Sequence, residues 1–317
     1  MAVEPPWPAR TLPEERPRPP LALLEGEGGA ARRDGPARPA LVHVLATRPD
    51  AVTLAPVVAA LERTGAFRQL MLHTGQHSGP AMVDDMLADL GLPTPDRSLR
   101  TGAGSHGAQT AFALAAAEEA LAELQPAAVV VTGAANSTLG CALAAAKLGL
   151  PVARVEAGLR EHDWSVPEEV NRVLIDRLAD TLFASTEQAA ENLFREGARA
   201  GCVHLAGSTA VDSIRRVERL ARERAVWRSY GAGRGGYVLA TLHRPANVDD
   251  DERLARIVEA LAALARRVPV VLPLHRARAR AWRRWATPSG CGRPVCTAGH
   301  RCPTSTSCPC RRARARS

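Results

Sequence analysis

Residues 151–172, PVARVEAGLREHDWSVPEEVNR, decide the fold. The stretch begins as a short apolar strand at 152–155, and a glutamate follows at the carboxyl end of that strand. After a loop, the Pro-Glu-Glu sequence at 167–169 starts a helix, because proline in a first turn sacrifices no hydrogen bond. Ligands of open α/β sheets bind outside the carboxyl ends of the strands. The spacing therefore predicts one crevice that is faced by Glu156, Arg160, Glu168 and Arg172.

The same charges also suit a solvated surface, because acidic side chains stabilise helix N-termini without binding any ligand. Spacing alone leaves both interpretations open.

Apolar strands alternate with helical segments on both sides of this stretch. Strands are predicted at 41–45, 69–73, 128–131 and 181–184, with helices reaching residue 61 and covering 105–124 and 187–195. This alternation predicts a doubly wound parallel sheet. A helix at 211–230, a strand at 237–241, a helix at 251–266 and a strand at 269–274 predict the start of a second domain.

Composition favours a globular protein, and the charge balance gives no argument for nucleic-acid binding. Hydrophobic residues make up 46% of the 317 residues, which is ample for a core. The net charge of +8 arises in residues 276–317, which hold 11 Arg and no acidic residue. The rest of the chain has 30 basic and 33 acidic residues, so overall basicity does not indicate a nucleic-acid partner.

Both ends of the chain differ from its body. Residues 1–40 are rich in Pro and Arg, contain no apolar run long enough for a signal peptide or a membrane span, and are predicted to be disordered. Residues 276–317 hold five of the seven cysteines and show no period, so they are also predicted to be disordered. A zinc site and a basic nucleic-acid-binding tail stay open as alternatives for this tail, although it has no C-x-x-C pair. A shifted reading frame would explain it better.

The blocks VEAGLR and PEEVNR resemble the signature of the non-hydrolysing UDP-N-acetylglucosamine 2-epimerases. Other blocks follow in the order of that family: ATRPDAVTLAPVV, HTGQH, GSHGAQT, GSTAVDSI and TLHRPANVDD. The resemblance covers about residues 41–275 and implies an α/β fold with two Rossmann-like domains of the glycosyltransferase-B type. The implied domains are 41–206 and an incomplete second domain at 207–275, between the disordered leader 1–40 and the tail 276–317, which does not resemble the family.

The resemblance also implies roles for individual residues. Catalytic roles fall on Glu156, Glu168 and His243. Substrate-binding roles fall on Arg48, Arg160, Arg172, Arg244 and Asn136. Gln76 and His77 match residues that bind a regulatory nucleotide sugar in bacterial members.

The implied activity is the interconversion of UDP-N-acetylglucosamine and UDP-N-acetylmannosamine. The family eliminates UDP to leave 2-acetamidoglucal and then adds UDP back with C2 inverted, and it needs no cofactor and no metal. The implied protein is a cytoplasmic homodimer in cell-envelope polysaccharide biosynthesis, with no nucleic-acid or membrane partner. A hydrolysing epimerase that releases UDP and N-acetylmannosamine, a non-catalytic nucleotide-sugar binder and a decayed gene product stay open as alternatives.

One departure from the family pattern affects the chemistry directly. Ala134 stands where the family has a catalytic aspartate, and alanine cannot accept a proton. Ala46, Asp50 and Thr53 are mild departures, and Ala135 and Ser208 also differ from the family pattern. Ala246, where the family has a glutamate, favours a decayed gene product together with Ala134 and the tail. Together with the divergent tail, Ala134 predicts little or no epimerase activity.

Overall fold

The computed structural model describes residues 38–75, 86–230, 232–233, 235–242, 245–273 and 296–298. Its strands are β1 Ala40–Leu45, β2 Arg68–His73, β3 Arg97–Ser98, β4 Ala128–Val131, β5 Val152–Ala157, β6 Thr181–Ala184, β7 Val203–Leu205, β8 Val238–Leu239, β9 Val270–Pro273 and β10 Cys296–Ala298. Its helices are α1 Arg48–Thr64, α2 His106–Leu124, α3 Asn136–Lys147, α4 Pro167–Leu178, α5 Glu187–Arg195, α6 Thr209–Arg224, α7 Pro245–Val248 and α8 Asp251–Ala265. Residues 86–90 are also helical.

The first compact unit reaches Glu218 and contains a seven-stranded sheet of order β3-β2-β1-β4-β5-β6-β7. All its strand pairs are parallel. Because β2 and β3 lie on one side of β1 and β4 on the other, the direction of chain progression reverses between β1 and β4. This reversal is the topological switch point, where open α/β sheets bind ligands.

Helices cover both faces of this sheet. One apolar cluster packs α2, α3 and Ile175 of α4 against one face, and a second packs α1 against the other. The central strands are therefore continuous apolar runs, as parallel strands buried on both faces require. His43 is the polar exception in β1, where its Nε2 lies 3.0 Å from Gln69 Oε1. Burial outweighs this hydrogen bond and lowers the His43 pKa to about 4.

The second unit begins at Arg219, and its described part contains a parallel sheet of order β10-β9-β8. Helix α8 begins after Asp250, whose side chain accepts a hydrogen bond from the Arg253 amide. Leu254 of this helix packs with Val248 and Leu272 in a small buried cluster.

The structure differs from the predicted elements in three places. The helix predicted at 211–230 is shorter: α6 ends at Arg224, and a 3₁₀ turn follows at Val226–Tyr230. The short strands β3 and β7 were not predicted, because neither contains an apolar run. Within the tail that was predicted to be disordered, Cys296–Ala298 form β10 and pair with β9, and most of the tail lies outside the described residues.

The first unit ends at Glu218 and the second begins at Arg219, so the division falls within the sequence of α6. The predicted domain limits stay predictions. No helix in the part of the chain that the structure describes is long and apolar enough to cross a membrane.

Candidate active site

A cavity of about 440 Å³ lies at the switch point of the first unit. Residues at the carboxyl ends of three neighbouring strands line this cavity. They lie in the loops after β1 and β4 and in β5 itself. Helices α2 and α4 close its sides. Its polar and charged lining residues include Thr47, Asp50, His106, Gln109, Asn136, Arg154, Glu156, Glu168 and Arg172.

A β-bulge turns Glu156 out of β5. Val155 pairs with Phe183 and Ala157 pairs with Ala184, so Glu156 is the unpaired extra residue. Its φ of 58° lies in the left-handed region, which is uncommon for a residue with a side chain and is concentrated at functional sites. The bulge re-aims this side chain from the sheet toward the cavity.

Three donors at the start of α6 hold the Glu156 carboxylate. Its Oε1 accepts hydrogen bonds from Ser208 Oγ at 3.0 Å, from the Thr209 amide at 2.9 Å and from Thr209 Oγ1 at 3.2 Å. All three donors end on one oxygen. The second carboxylate oxygen accepts none of these three bonds.

The neighbouring glutamates of α4 have different surroundings. Glu169 is buried, and its Oε1 accepts bonds from the amides of Glu161 and His162, while its Oε2 accepts one from Arg172 Nη1 at 2.6 Å. Burial acts to raise the Glu169 pKa, but these bonds prevail and hold it below its ordinary value. Glu169 therefore anchors the loop after β5, while Glu168 lines the cavity.

Asn136 is the centre of a hydrogen-bonded amide network at the start of α3. Its Nδ2 lies 2.9 Å from His106 Nδ1 and donates to Gln109 Oε1 at 2.8 Å. Its Oδ1 accepts a bond from Asn171, which also donates to the Ala134 carbonyl. The network joins three helices around the β4 loop and so fixes the wall of the cavity.

Two buried charged residues of the cavity were not predicted as site residues. Asp50 is 2% exposed, and burial raises its pKa to about 6 against the opposing effects of the Thr47 and Ala46 hydrogen bonds and of Arg154. Arg154 is 3% exposed and forms an ion pair with Asp176 at 3.2 Å. Its Nη1 has no hydrogen-bond partner among the described residues.

The structure brings together Glu156, Glu168, Arg172 and Asn136 of the predicted site residues. Arg48 is the first residue of α1 and is exposed, and its neighbours Thr47 and Pro49 line the cavity. Arg160 does not line this cavity; it donates to Asp176 Oδ2 at 2.8 Å and to Glu196 Oε2 at 2.6 Å. Its predicted role in substrate binding stays a prediction.

Four predicted residues lie outside the described part of the chain: Gln76, His77, His243 and Arg244. Among the described residues, no group of three His, Cys, Asp or Glu side chains is arranged to hold a metal ion.

Comparison with known proteins gives the family. The family model described as UDP-N-acetylglucosamine 2-epimerase matches residues 59–291. UDP-N-acetylglucosamine 2-epimerase of Methanocaldococcus jannaschii is 41% identical over 222 residues, which are 69% of this chain and 60% of that protein. UDP-2,3-diacetamido-2,3-dideoxy-D-glucuronate 2-epimerase of Pseudomonas aeruginosa is 38% identical over 74% of this chain and 66% of that protein. The chain thus spans less than two thirds of the length of these two relatives.

Solved structures agree with the sequence matches. The crystal structure of the M. jannaschii UDP-GlcNAc 2-epimerase in complex with UDP-GlcNAc and UDP superposes with a TM-score of 0.69 at 37% identity, over 78% of this chain and 68% of that one. The enzyme of Neisseria meningitidis bound to UDP-GlcNAc also gives a TM-score of 0.69, at 26% identity over 75% of this chain and 67% of that one. With its parallel sheet and its carboxylate-lined cavity at the switch point, this chain belongs to the non-hydrolysing UDP-N-acetylglucosamine 2-epimerase family.

Proposed function

We propose that this protein interconverts UDP-N-acetylglucosamine and UDP-N-acetylmannosamine by eliminating UDP and adding it back. The low activity predicted from Ala134 and the divergent tail stays a prediction, which the turnover of this reaction tests. The proposal rests on one observation: Glu156 and Glu168 both line one cavity, at the edge of the sheet where ligands bind. Two relatives of known structure hold UDP-GlcNAc, which supports this substrate.

The reaction begins with removal of the C2 proton by a carboxylate. The C2–H electron pair becomes the second bond between C1 and C2, and the C1–O bond breaks with its electrons leaving on UDP. Glu156 and Glu168 are the carboxylates that would exchange protons with the sugar, a role that typically accelerates a reaction by about 10²–10⁴-fold.

The diphosphate leaves with a developing negative charge that cations must stabilise. Arg48 stands at the first position of α1, so it is placed beside a helix N-terminus, where phosphates bind favourably. His243 and Arg244 are the further cations of the proposal. The return step protonates C2 on the opposite face, and UDP adds back to C1.

Product analysis tests the proposal. The protein is incubated with UDP-GlcNAc, and UDP-ManNAc, free UDP and free N-acetylmannosamine are quantified by NMR. UDP-ManNAc is the expected product, whereas free N-acetylmannosamine and UDP in equal amounts would support the hydrolysing alternative. UDP binding without any product would support the non-catalytic binder.

A matched pair of variants ties the activity to the cavity. Glu168 and Glu187 both lie in the first turn of a helix, but only Glu168 lines the cavity. Glu168→Gln is expected to lower turnover by about 10²–10⁴-fold and Glu187→Gln to leave it unchanged. Equal turnover in both variants would contradict the assignment of Glu168.

A further inference from the structure

Asp50 is a third carboxyl in the lining of the candidate active-site cavity. It follows β1, whereas Glu156 lies in β5, so the β4 loop lies between them. Asp50 lies in the first turn of α1, and its Oδ2 accepts hydrogen bonds from the Ala46 amide at 3.2 Å and the Thr47 amide at 2.7 Å. A capping role accounts for this oxygen. It does not account for burial of the whole group in a ligand cavity.

The other oxygen lies against the β4 loop. A Cβ atom placed on Gly133 would lie 2.0 Å from Asp50 Oδ1, so the carboxyl fills the space that a side chain at this position would take. The next residue is Ala134, where the resemblance places a carboxylate that this chain lacks. Asp50 therefore brings a carboxyl oxygen to the loop from which one is missing.

The surroundings of Asp50 suit proton transfer. A carboxylate that only accepts amide hydrogen bonds has a depressed pKa, because those bonds favour the ionised form. Here burial prevails over the bonds and over Arg154, and the pKa rises to about 6. Both protonation states are consequently accessible near neutral pH, as general acid–base catalysis requires.

We propose that Asp50 takes over the proton transfer that the missing carboxylate at Ala134 would perform, as a third catalytic carboxyl beside Glu156 and Glu168. The inference rests on the proposed function. Strand order places β4 between β1 and β5, so Asp50, which follows β1, and Glu156, in β5, lie on either side of the β4 loop. A glutamate carboxylate removes the C2 proton as UDP departs, and the protonated Asp50 returns a proton to the opposite face of C2; afterwards the glutamate releases its proton to water and Asp50 takes one up.

The test measures exchange of the C2 hydrogen of UDP-GlcNAc with deuterium from D₂O, followed by NMR. Asp50→Asn keeps the size of the side chain and is expected to slow exchange by about 10²–10⁴-fold, with UDP affinity unchanged. Asp96→Asn is the matched control, because Asp96 also accepts a backbone amide bond, from Met71, but does not line the cavity. The control is expected to exchange at the rate of the unaltered protein.

The double variant Asp50→Asn/Ala134→Asp separates chemistry from capping. If the two positions serve the same proton transfer, the new carboxyl restores exchange at least about tenfold over Asp50→Asn, on the scale of a general acid or base. A capping role alone would not be restored from residue 134. Thermal unfolding and UDP titration of each variant monitor folding and binding.

The outcomes distinguish the inference from the proposed function. Fast exchange in Asp50→Asn, or a loss that Ala134→Asp does not restore, overturns the role of Asp50 while the epimerase proposal stands. An unaltered protein that binds UDP without exchanging C2 hydrogen overturns both the inference and the chemistry of the proposed function. A protein that binds no UDP or UDP-sugar overturns the substrate proposal, and the inference with it.

Discussion

Gly158 of the VEAGLR block is the position where a single methyl group should disrupt the site most. Its φ is +81°, and an added Cβ would lie 2.1 Å from the Ala189 carbonyl oxygen and 2.7 Å from the Ala189 carbonyl carbon. Both atoms are backbone, so α5 must move away from β5 to accommodate Gly158→Ala. Two buried hydrogen bonds end on Gly158 and would be strained: its amide donates to Asp176, and its carbonyl accepts from Asn192.

Three terms add to the expected loss of stability. The left-handed conformation costs an alanine about 1–2 kcal/mol, overpacking about 1–3 kcal/mol and each weakened hydrogen bond about 1 kcal/mol. The sum is about 4–7 kcal/mol, which is a large part of the stability of an ordinary domain.

Gly149→Ala is the matched control for this prediction. Gly149 also has a positive φ, of +73°, but no atom lies within 4 Å of the position that an added Cβ would occupy, so only the conformational term of about 1–2 kcal/mol applies. The free energies of unfolding of the two variants, measured in urea, should differ by about 3–5 kcal/mol, which is the sum of the overpacking and hydrogen-bond terms. Equal losses in the two variants would refute the steric account of the β5–α5 contact.

The remaining predictions concern the titration of His43 and Asp50 and the hydrogen bonds that hold Glu156. The pKa of His43 is lowered to about 4, so its contribution to stability is lost as pH falls from 6.5 to 4, whereas the pKa of Asp50 is raised to about 6, so its contribution is lost as pH rises from 3.8 to 6. Each of these two contributions to stability is about 3 kcal/mol, and they change in opposite directions as pH falls. Without the Asp50 contribution, the free energy of unfolding of Asp50→Asn in urea should fall about 3 kcal/mol more between pH 6 and pH 4 than that of the unaltered protein. Parallel pH profiles of the two proteins would contradict this. Ser208→Ala removes one of the three hydrogen-bond donors to Glu156. A hydrogen bond to a charged group contributes about 1.5–3 kcal/mol, so turnover should fall about 10–150-fold at unchanged UDP affinity and recover in Ser208→Thr. A change in affinity alone would argue against a positioning role.

The central strands could be predicted from the sequence because each is a continuous apolar run. The strand at 128–131, the strand at 181–184 and the helix at 187–195 agree with the structure at both ends. Edge strand β7 has the sequence Val-His-Leu and is largely exposed, so its own hydrophobic pattern does not predict a strand. It forms because it pairs with the neighbouring strand β6.

The site could be predicted only where its residues follow one another closely. Glu156 and Glu168 lie at a strand end and a helix start, and those local rules place them together. Arg154 follows no such rule: a charged residue in an apolar strand normally indicates an exposed face, and its burial depends on Asp176, 22 residues away. In the sequence Asp50 is only a minor change from glutamate, and its place in the cavity depends on Gly133, which leaves room for its carboxyl.

The side-chain direction of Arg160 is a further feature that the sequence pattern does not predict. Residues 156 and 158 both have a positive φ, so the chain after β5 does not keep the alternating side-chain directions of a strand. Arg160 consequently meets Asp176 and Glu196 and not the cavity. Backbone turns of this kind depend on tertiary contacts that the local sequence does not show.

Positional isotope exchange tests the central claim most directly, because it reports breakage of the C1–O bond itself. UDP-GlcNAc carrying ¹⁸O in the bridge between C1 and the β-phosphate is incubated with the protein, and the position of the label is followed by ³¹P NMR. Elimination and return of UDP let the β-phosphate oxygens exchange places, so the label is expected to move to non-bridging positions with the unaltered protein and to stay in place with Glu156→Gln. A label that stays in the bridge while UDP-GlcNAc is bound at saturation would contradict the proposed elimination in this cavity.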